Sequence, residues 1–386
     1  MRGHIRERSK GSYTITVELH RDYITNKRKQ KYFTFQGTKK EAEIFLTEKL
    51  REIDTGLLMN TKDIKFGEYL DYWVKEYCET NLSINTIDGY RQYIEKHIKP
   101  VLGHVKLEKL MLGHLQAFYS NKLKNGRLNG KGGLSKRTIV IMHKMIHCSL
   151  AKALKWQLVV RNVADNVEIP KADKFNAIAL NEKQTNLLID KVKDTELYIP
   201  VMIGIYTGMR RGEVLGLTWD NVNLEKGYIR VAQSLYATTQ GLQFLPPKTK
   251  SSIRTIAIPN SLINILKKHR IKQLESKLRL GELYGNNNVV CCYDDGRLFN
   301  PKTFSSNFNC LLKTSNLPLI RFHDLRHSHA SLLVKLGIQP KIISERLGHS
   351  SIGITMDLYS HLYEETDKEV ANMFENLIQM NRLTNG

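Results

Sequence analysis

Acidic residues are scarce in this chain of 386 residues: 38 Asp and Glu stand against 59 Lys and Arg, for a formal net charge of +21. That excess is far from the balance of an ordinary cytosolic enzyme. It points to an extended polyanion as partner, with nucleic acid favoured over an anionic membrane surface. Long apolar runs are also missing. No stretch approaches the roughly 20 residues of a membrane span, and the opening "MRGHIRERSKGS" lacks the apolar core of a secretory signal. Cysteines are few, five in all, and two are adjacent as Cys291 and Cys292, which gives neither a disulfide framework nor the paired C-x-x-C spacing of a zinc site. A protein without a membrane partner, kept in a reducing cytoplasm, fits these absences. Length adds a positive constraint: 386 residues exceed what one hydrophobic core usually organises, so two or three domains are expected.

The first forty residues hold eleven Lys or Arg against three acids. Within them "SYTITVELH" and "KQKYFTF" alternate in strand fashion, with "RDYITNKRK" as the turn between. A helix is predicted in "TKKEAEIFLTEKLREI", with Thr38 as N-cap and Ala42, Phe45, Leu46 and Leu50 on one face. Lysines interleaved with aromatic residues on strands suit a sheet laid on DNA phosphates.

Residues 66 to about 165 read as mainly helical, because "FGEYLDYWVKEYCE", "NTIDGYRQYIEKHIKPVLG", "MLGHLQAFYSNKL" and "SKRTIVIMHKMIHCSLAKALKW" each carry apolar residues three and four apart. The Gly-rich "KNGRLNGKGGLS" superficially resembles a phosphate loop. Its spacing from Gly126 to Gly130 and Lys131 is one residue short and Gly132 stands where Ser or Thr should, so it reads as a flexible loop. His143 and His147 are four apart, yet "HKMIH" lacks the glutamate of a zinc protease, so solvent-facing or DNA-facing histidines are expected. A linker falls near 168–176, where Pro and charge mix without helical period.

The third region holds the chemistry. "YIPVMIGIYTGMRRGEVLGLTWDNV" gives an apolar helix, an interruption at Thr207 and Gly208, the arginines Arg210 and Arg211, and a second helix opening at "RGEVLGL". An arginine at such a break can aim at a ligand instead of lying on a solvated face. "GYIRVAQS" and "SSIRTIAIP" read as strands, which puts Lys248 and Lys250 in a strand-to-strand connection. In "FHDLRHSHAS" His323 and Arg326 are three apart and share a helical face. Metal binding by His323, His327 and His329 is disfavoured, since Arg326 would set a permanent cation beside the metal. His349 follows a helix ending at Gly348, and Tyr359 and Tyr363 lie four apart on a further predicted helix.

Two arginines, two histidines, a lysine and a tyrosine, with no paired acid, suit phosphoryl transfer that needs no metal and no cofactor. A phosphodiester under in-line attack spreads negative charge over its non-bridging oxygens, which guanidiniums hold bidentately. Tyrosine is a nucleophile whose phosphate ester conserves the bond energy, and a lysine or histidine can protonate the departing deoxyribose oxygen.

At these residues the chain resembles a known family. "TGMRRGEVLGLTW", "PPKTKSSIRTIAIP", "HDLRHSHAS", "LGHSS" and "MDLYSHL", in this order, are similar to the catalytic boxes of tyrosine site-specific recombinases, the phage-integrase family. The resemblance implies Arg210 and Arg326 as phosphate clamps, Glu213 as support for the first box, Lys248 as the acid for the 5′ oxygen with Lys250 as competitor, His323 and His349 at the phosphate, and Tyr359 as nucleophile ahead of Tyr363. No required position departs from the pattern.

It further implies a multidomain α+β protein. Residues 1–62, a small N-terminal β-sheet plus helix, would bind arm-type DNA sites; residues 63–168, a helical domain, would bind core-type sites; and residues 169–386 would form a mainly helical catalytic domain with a small antiparallel sheet. Integration and excision of a prophage or other mobile element by a homotetramer on double-stranded attachment sites would follow. An excisionase and a host DNA-bending protein would be accessory partners, in the cytoplasm at the bacterial nucleoid. A Xer-like resolvase, a regulator with a vestigial site and a type IB topoisomerase are the alternatives. The segment "DKEVANMFENLIQM" is an amphipathic helix candidate that either packs on its own domain or docks on a neighbouring protomer.

Overall fold

The computed structural model describes residues 3–18, 30–54, 64–172, 178–247 and 252–348, with 353, 356 and 375. It divides into two compact units, Met1–Lys174 and Phe175–Gly386.

The first unit begins with an antiparallel meander, β1 (Gly3–Ser9), β2 (Ser12–Glu18) and β3 (Gln30–Gln36), followed by α1 (Lys39–Asp54). Alternation sends Tyr13, Ile15 and Val17 inward against Ala42, with Phe45, Leu46 and Leu50 beside them, so the helix face read from the sequence is the one that packs. Thr38 caps α1 reciprocally with Glu41, whose Oε2 accepts from the Thr38 N–H at 2.8 Å. Strand β1 escapes sequence reading because "GHIRERS" carries one large apolar residue, Ile5, and three consecutive charges. It is an edge strand that takes its conformation from pairing with β2, and charge on such an edge blocks further strand addition. The turn expected over residues 21–29 lies outside the described residues.

Each of the four helical stretches is found. Helix α2 (Phe66–Trp73) runs through a π turn into α3 (Glu79–Asn81), and α4 (Ile84–Tyr93) likewise into α5 (Lys99–Leu102); α6 (Leu112–Asn125) and α7 (Lys136–Lys155) complete the set. They close on Phe66, Tyr69, Trp73, Leu115, Phe118, Met142 and Ile146. The Gly-rich loop folds on itself: the Arg127 N–H donates to the Gly132 carbonyl and its Nε to the Gly133 carbonyl at 3.1 Å. His147 pairs with Asp165 at 2.9 Å, while His143 is wedged between Tyr119 and His147.

The second unit runs α8 (Glu182–Val192), α9 (Tyr198–Thr207), α10 (Arg211–Leu215), β4 (Val222–Asn223), β5 (Tyr228–Val231), β6 (Ser234–Thr238), β7 (Gly241–Leu245), β8 (Arg254–Ala257), α11 (Asn260–Leu280), α12 (Pro301–Lys313), α13 (Asp324–Lys335) and α14 (Pro340–Leu347). Its antiparallel sheet has the order β4-β5-β8, with Val231 opposite Arg254. Both strands expected here are present. The segment between them, read from the sequence as a plain connection, carries the separate hairpin β6–β7, closed at Gly241 with φ +104°. Turn residues in "TTQGLQ" supply the bend that the alternation in "SLYAT" and "GLQFL" needs. Val201, Ile203, Val214, Ile229, Ile256, Phe304, Phe308, Phe322 and Leu325 form the core under the sheet. Among the described residues no helix is long and apolar enough to cross a membrane.

Candidate active site

Helix α9 is almost wholly apolar and is the buried centre of its unit. It stops at Gly208, whose φ of +64° belongs to the left-handed region that side chains avoid. A Cβ there would also come within 2.5 Å of Leu347 and 2.9 Å of His329. The sharp turn aims the Gly208 carbonyl at α13, where it accepts from Arg326 Nη1 at 3.0 Å. Two residues on, Arg210 is the N-cap of α10 in extended conformation. Its backbone N–H donates to Glu213 Oε2 at 2.9 Å and its Nη1 to Glu213 Oε1 at 2.8 Å. The Glu213 side chain is 3% exposed and that of Arg210 38%, so Arg210 is gripped from behind and keeps its outer face in solvent.

Helix α13 begins at His323, its N-cap, and puts Arg326, 3% exposed, in the first turn. Asp324 fixes the approach to the helix by accepting from the Arg321 N–H and from Arg321 Nη2, each at 2.7 Å. Although the outer edge of His323 meets solvent, withdrawal of the rest of the ring from water, then the Arg326 charge and His327, push its pKa down to about 4. The imidazole is therefore neutral at pH 7. The charge of Arg210 acts in the same direction, so Arg210, His323 and Arg326 belong to one neighbourhood.

Lys248, His349 and Tyr359, with the competitors Lys250 and Tyr363 and, apart from Glu375, the amphipathic segment from Asp367 to Met380, lie outside the described residues. The described backbone leads to the first two. The Gly348 carbonyl accepts from Arg210 Nη2 at 3.3 Å, one residue before His349, and the Ser252 carbonyl, just past Lys250, accepts from Arg254 Nη1 at 3.2 Å.

Two arginines escaped the sequence reading. Arg254 on β8 donates Nη2 to Glu213 Oε2 at 2.9 Å and Nε to the Arg346 carbonyl at 2.9 Å. Its signal was alternation: Arg254 shares the inward face of β8 with Ile256, and an inward arginine needs a buried acid. That acid is Glu213. Burial alone would raise its carboxyl pKa, but the hydrogen bond and charge of Arg254 and the charge of Arg210 outweigh this and hold it below the usual value. Arg211, beside the clamp in sequence, turns away to Ser305 on α12.

Arg346, the second, donates to the Tyr206 and Ala257 carbonyls and, through Nε, to His329 Nε2 at 3.1 Å. Since arginine only donates, His329 Nε2 accepts, and its Nδ1–H donates to the Ile205 carbonyl at 2.8 Å. Both ring nitrogens are engaged, which removes His329 from any metal set with His323 and His327. Among the described residues no cluster of metal-ligating side chains occurs.

Burial first, then Arg346, pushes the pKa of His329 down to about 4. Because the folded value lies below the ordinary value of about 6.5, the neutral ring contributes stability that is complete above pH 6.5 and lost as pH falls toward 4. Unfolding free energy is expected to drop by up to about 1.4 kcal/mol per pH unit in that window from this one group. Urea unfolding at pH 7 and pH 5 checks it, with a smaller pH dependence expected in His329→Gln; an equal dependence in both proteins would refute it.

The fold is that of enzymes that break and rejoin DNA strands. Residues 179–366 match the model described as "Phage integrase family", and residues 65–123 match "Phage integrase, N-terminal SAM-like domain". A "Tyrosine recombinase XerC-like" protein of Caldanaerobacter subterraneus subsp. tengcongensis is 28% identical over 95% of each chain. The ICEBs1 integrase of Bacillus subtilis is 25% identical over 97% of this chain and 100% of its own. The Tn1549 transposon integrase, solved in complex with transposon right end DNA, superposes with a TM-score of 0.65 at 19% identity, covering 79% of this chain and 99% of that one. The chain belongs to the phage integrase family and is a tyrosine recombinase of integrase type.

Proposed function

We propose that this integrase cuts and rejoins double-stranded DNA at attachment sites through a 3′-phosphotyrosine, with Tyr359 as nucleophile. Arg210 and Arg326 hold the two non-bridging oxygens of the scissile phosphate, and His349 donates a further hydrogen bond. His323, neutral at pH 7, takes the proton of the tyrosine hydroxyl as its oxygen attacks phosphorus. The P–O5′ bond breaks, and Lys248 protonates the departing 5′ oxygen. The 5′ hydroxyl of the exchanged strand then attacks the phosphotyrosine, restoring the diester and freeing Tyr359, so no external energy source is consumed. The observation that carries this reading is the meeting of Arg210 and Arg326 at the Gly208 turn, with His323 at the N-cap of the helix that carries Arg326.

In the same proposal residues 1–62 bind arm-type sites, 63–168 bind core-type sites, and 169–386 catalyse. Four copies exchange pairs of strands through a Holliday junction, aided by an excisionase and a host DNA-bending protein, at the nucleoid in the cytoplasm. Fifty-nine Lys and Arg supply the positive field that two duplexes require. The XerC-like relative favours a second reading, a Xer-like chromosome resolvase. That match spans 95% of both chains, so the basic N-terminal sheet does not by itself separate the two readings. Recombination between sites from the junctions of a mobile element does.

The first experiment traps the intermediate on a nicked, labelled core-site duplex mapped from those junctions, in EDTA. An SDS-resistant protein–DNA adduct is expected. Its absence on every mapped site would refute the reading and leave a DNA-binding regulator in its place.

A further inference from the structure

Arg254 is none of the residues proposed to touch the phosphate, yet it reaches the carboxylate behind Arg210 and two of the backbone segments that border the site. Its Nη2 and Nη1 reach Glu213 Oε2 at 2.9 Å and Oε1 at 3.3 Å, and that carboxylate is the one holding both the backbone and the guanidinium of Arg210. Its Nε donates to the Arg346 carbonyl, two residues before Gly348, and its Nη1 donates to the Ser252 carbonyl, two residues after Lys250. Gly348 lies over the same side chain: with φ +67°, a Cβ there would stand 2.9 Å from Arg254 Cδ and 3.3 Å from its Nε. One guanidinium, 6% exposed, thus ties together the first arginine, the turn that leads to His349 and the segment that leads away from Lys248.

The energetics argue for geometry over stability as its role. Desolvation of a buried ion pair offsets most of its attraction, so such a pair adds little net stability while holding its members in one arrangement. Arginine suits this because its planar fork satisfies three separate acceptors at fixed angles, which the single ammonium of lysine cannot do.

We infer that Arg254 is a positioning residue, which sets the orientation of Arg210 through Glu213 and holds the turn at Gly348 through the Arg346 carbonyl. The inference rests on the reading of Arg210 as a phosphate clamp. It is tested with Arg254→Lys on two nicked core-site duplexes, one with an ordinary scissile phosphodiester and one with a methylphosphonate there. The methylphosphonate carries no net charge, so it demands less of the arginine clamp.

Arg254→Lys is expected to bind the ordinary duplex within about threefold of wild type and to form the covalent adduct up to about 100-fold more slowly, the scale of an ångström-sized misplacement. The deficit is expected to shrink several-fold on the methylphosphonate, as it should for Arg210→Ala. In the Arg210→Ala background Arg254→Lys is expected to cause little further loss. An equal deficit on both duplexes, or an unchanged rate per folded molecule, would overturn the inference. If Arg254→Lys fails to fold, Gly348→Ala disturbs the same guanidinium without removing a charge, and the same substrate dependence decides. A wild type that forms no adduct at all would instead sink the reading of the enzyme on which the inference stands.

Discussion

Tyr359→Phe is expected to remove the protein–DNA adduct and strand exchange altogether, a loss on the order of a million-fold, the scale on which deleting a covalent nucleophile acts elsewhere. Phenylalanine differs from tyrosine only by the missing hydroxyl, so DNA binding is expected to stay within about twofold of wild type. The second tyrosine of "MDLYSHLYEE" gives the experiment its control. Tyr363 lies four residues further on, and Tyr363→Phe is expected to leave adduct formation within about twofold. No water, metal or neighbouring hydroxyl substitutes for the missing oxygen, because the covalent ester is itself the store of bond energy. Trapping with the nicked core-site duplex measures both variants side by side. Loss of the adduct with Tyr363→Phe and its survival with Tyr359→Phe would move the nucleophile to Tyr363.

Glu213→Gln is expected to have the largest effect on stability. The carboxylate is 3% exposed and faces Arg254, itself 6% exposed, with Arg210 on its other side. An amide still accepts from the Arg210 N–H at the start of α10, so the helix cap survives in part. It offers no charge, and Arg254 is left as a buried cation beside a neutral partner. Breaking one side of a buried pair costs about 3–5 kcal/mol, which for a unit of about 200 residues lowers Tm by roughly 6–20 °C. Adding Arg254→Met to Glu213→Gln is expected to return part of the lost stability, since the stranded charge is gone. It is not expected to return strand cleavage, because the carboxylate that fixes the Arg210 guanidinium and the Arg254 that fixes the carboxylate are then both gone. Thermal unfolding of the single and double variants, with the adduct assay beside it, separates the two effects. An unchanged Tm in Glu213→Gln would contradict the buried network.

How much of this was legible beforehand differs from element to element. The apolar face of α1 and the helices from Phe66 to Lys155 followed from period alone, because burial of one face is a local property of the pattern. Strand β1 did not, since its charged sequence has no preference that outweighs solvation until β2 pairs with it. The hairpin β6–β7 was hidden for the opposite reason: turn chemistry marked it, but the flanking strands β5 and β8 drew the whole segment into a single connection. Of the polar residues in "FHDLRHSHAS", the sequence placed His323 and Arg326 on one face, and the structure puts both at the start of α13. It had no means of telling that His329, six residues on, is a buried neutral ring shared between the Ile205 carbonyl and Arg346.

By itself the sequence determined the basic character of the chain, its α+β class and the ordered set of boxes that marks a tyrosine recombinase, because composition, period and spacing are written along one dimension. Glu213 was already marked as support for the first box; only the tertiary structure decided what holds Glu213 in turn. Glu213, Arg254, Arg346 and Gly348 come from a short helix, a sheet strand and the end of another helix. Their hydrogen bonds join residues 41, 92 and 138 positions apart. No local preference encodes such a network, since an arginine on a strand and a glutamate on a helix acquire their meaning when folding removes water from both and leaves each the other's partner.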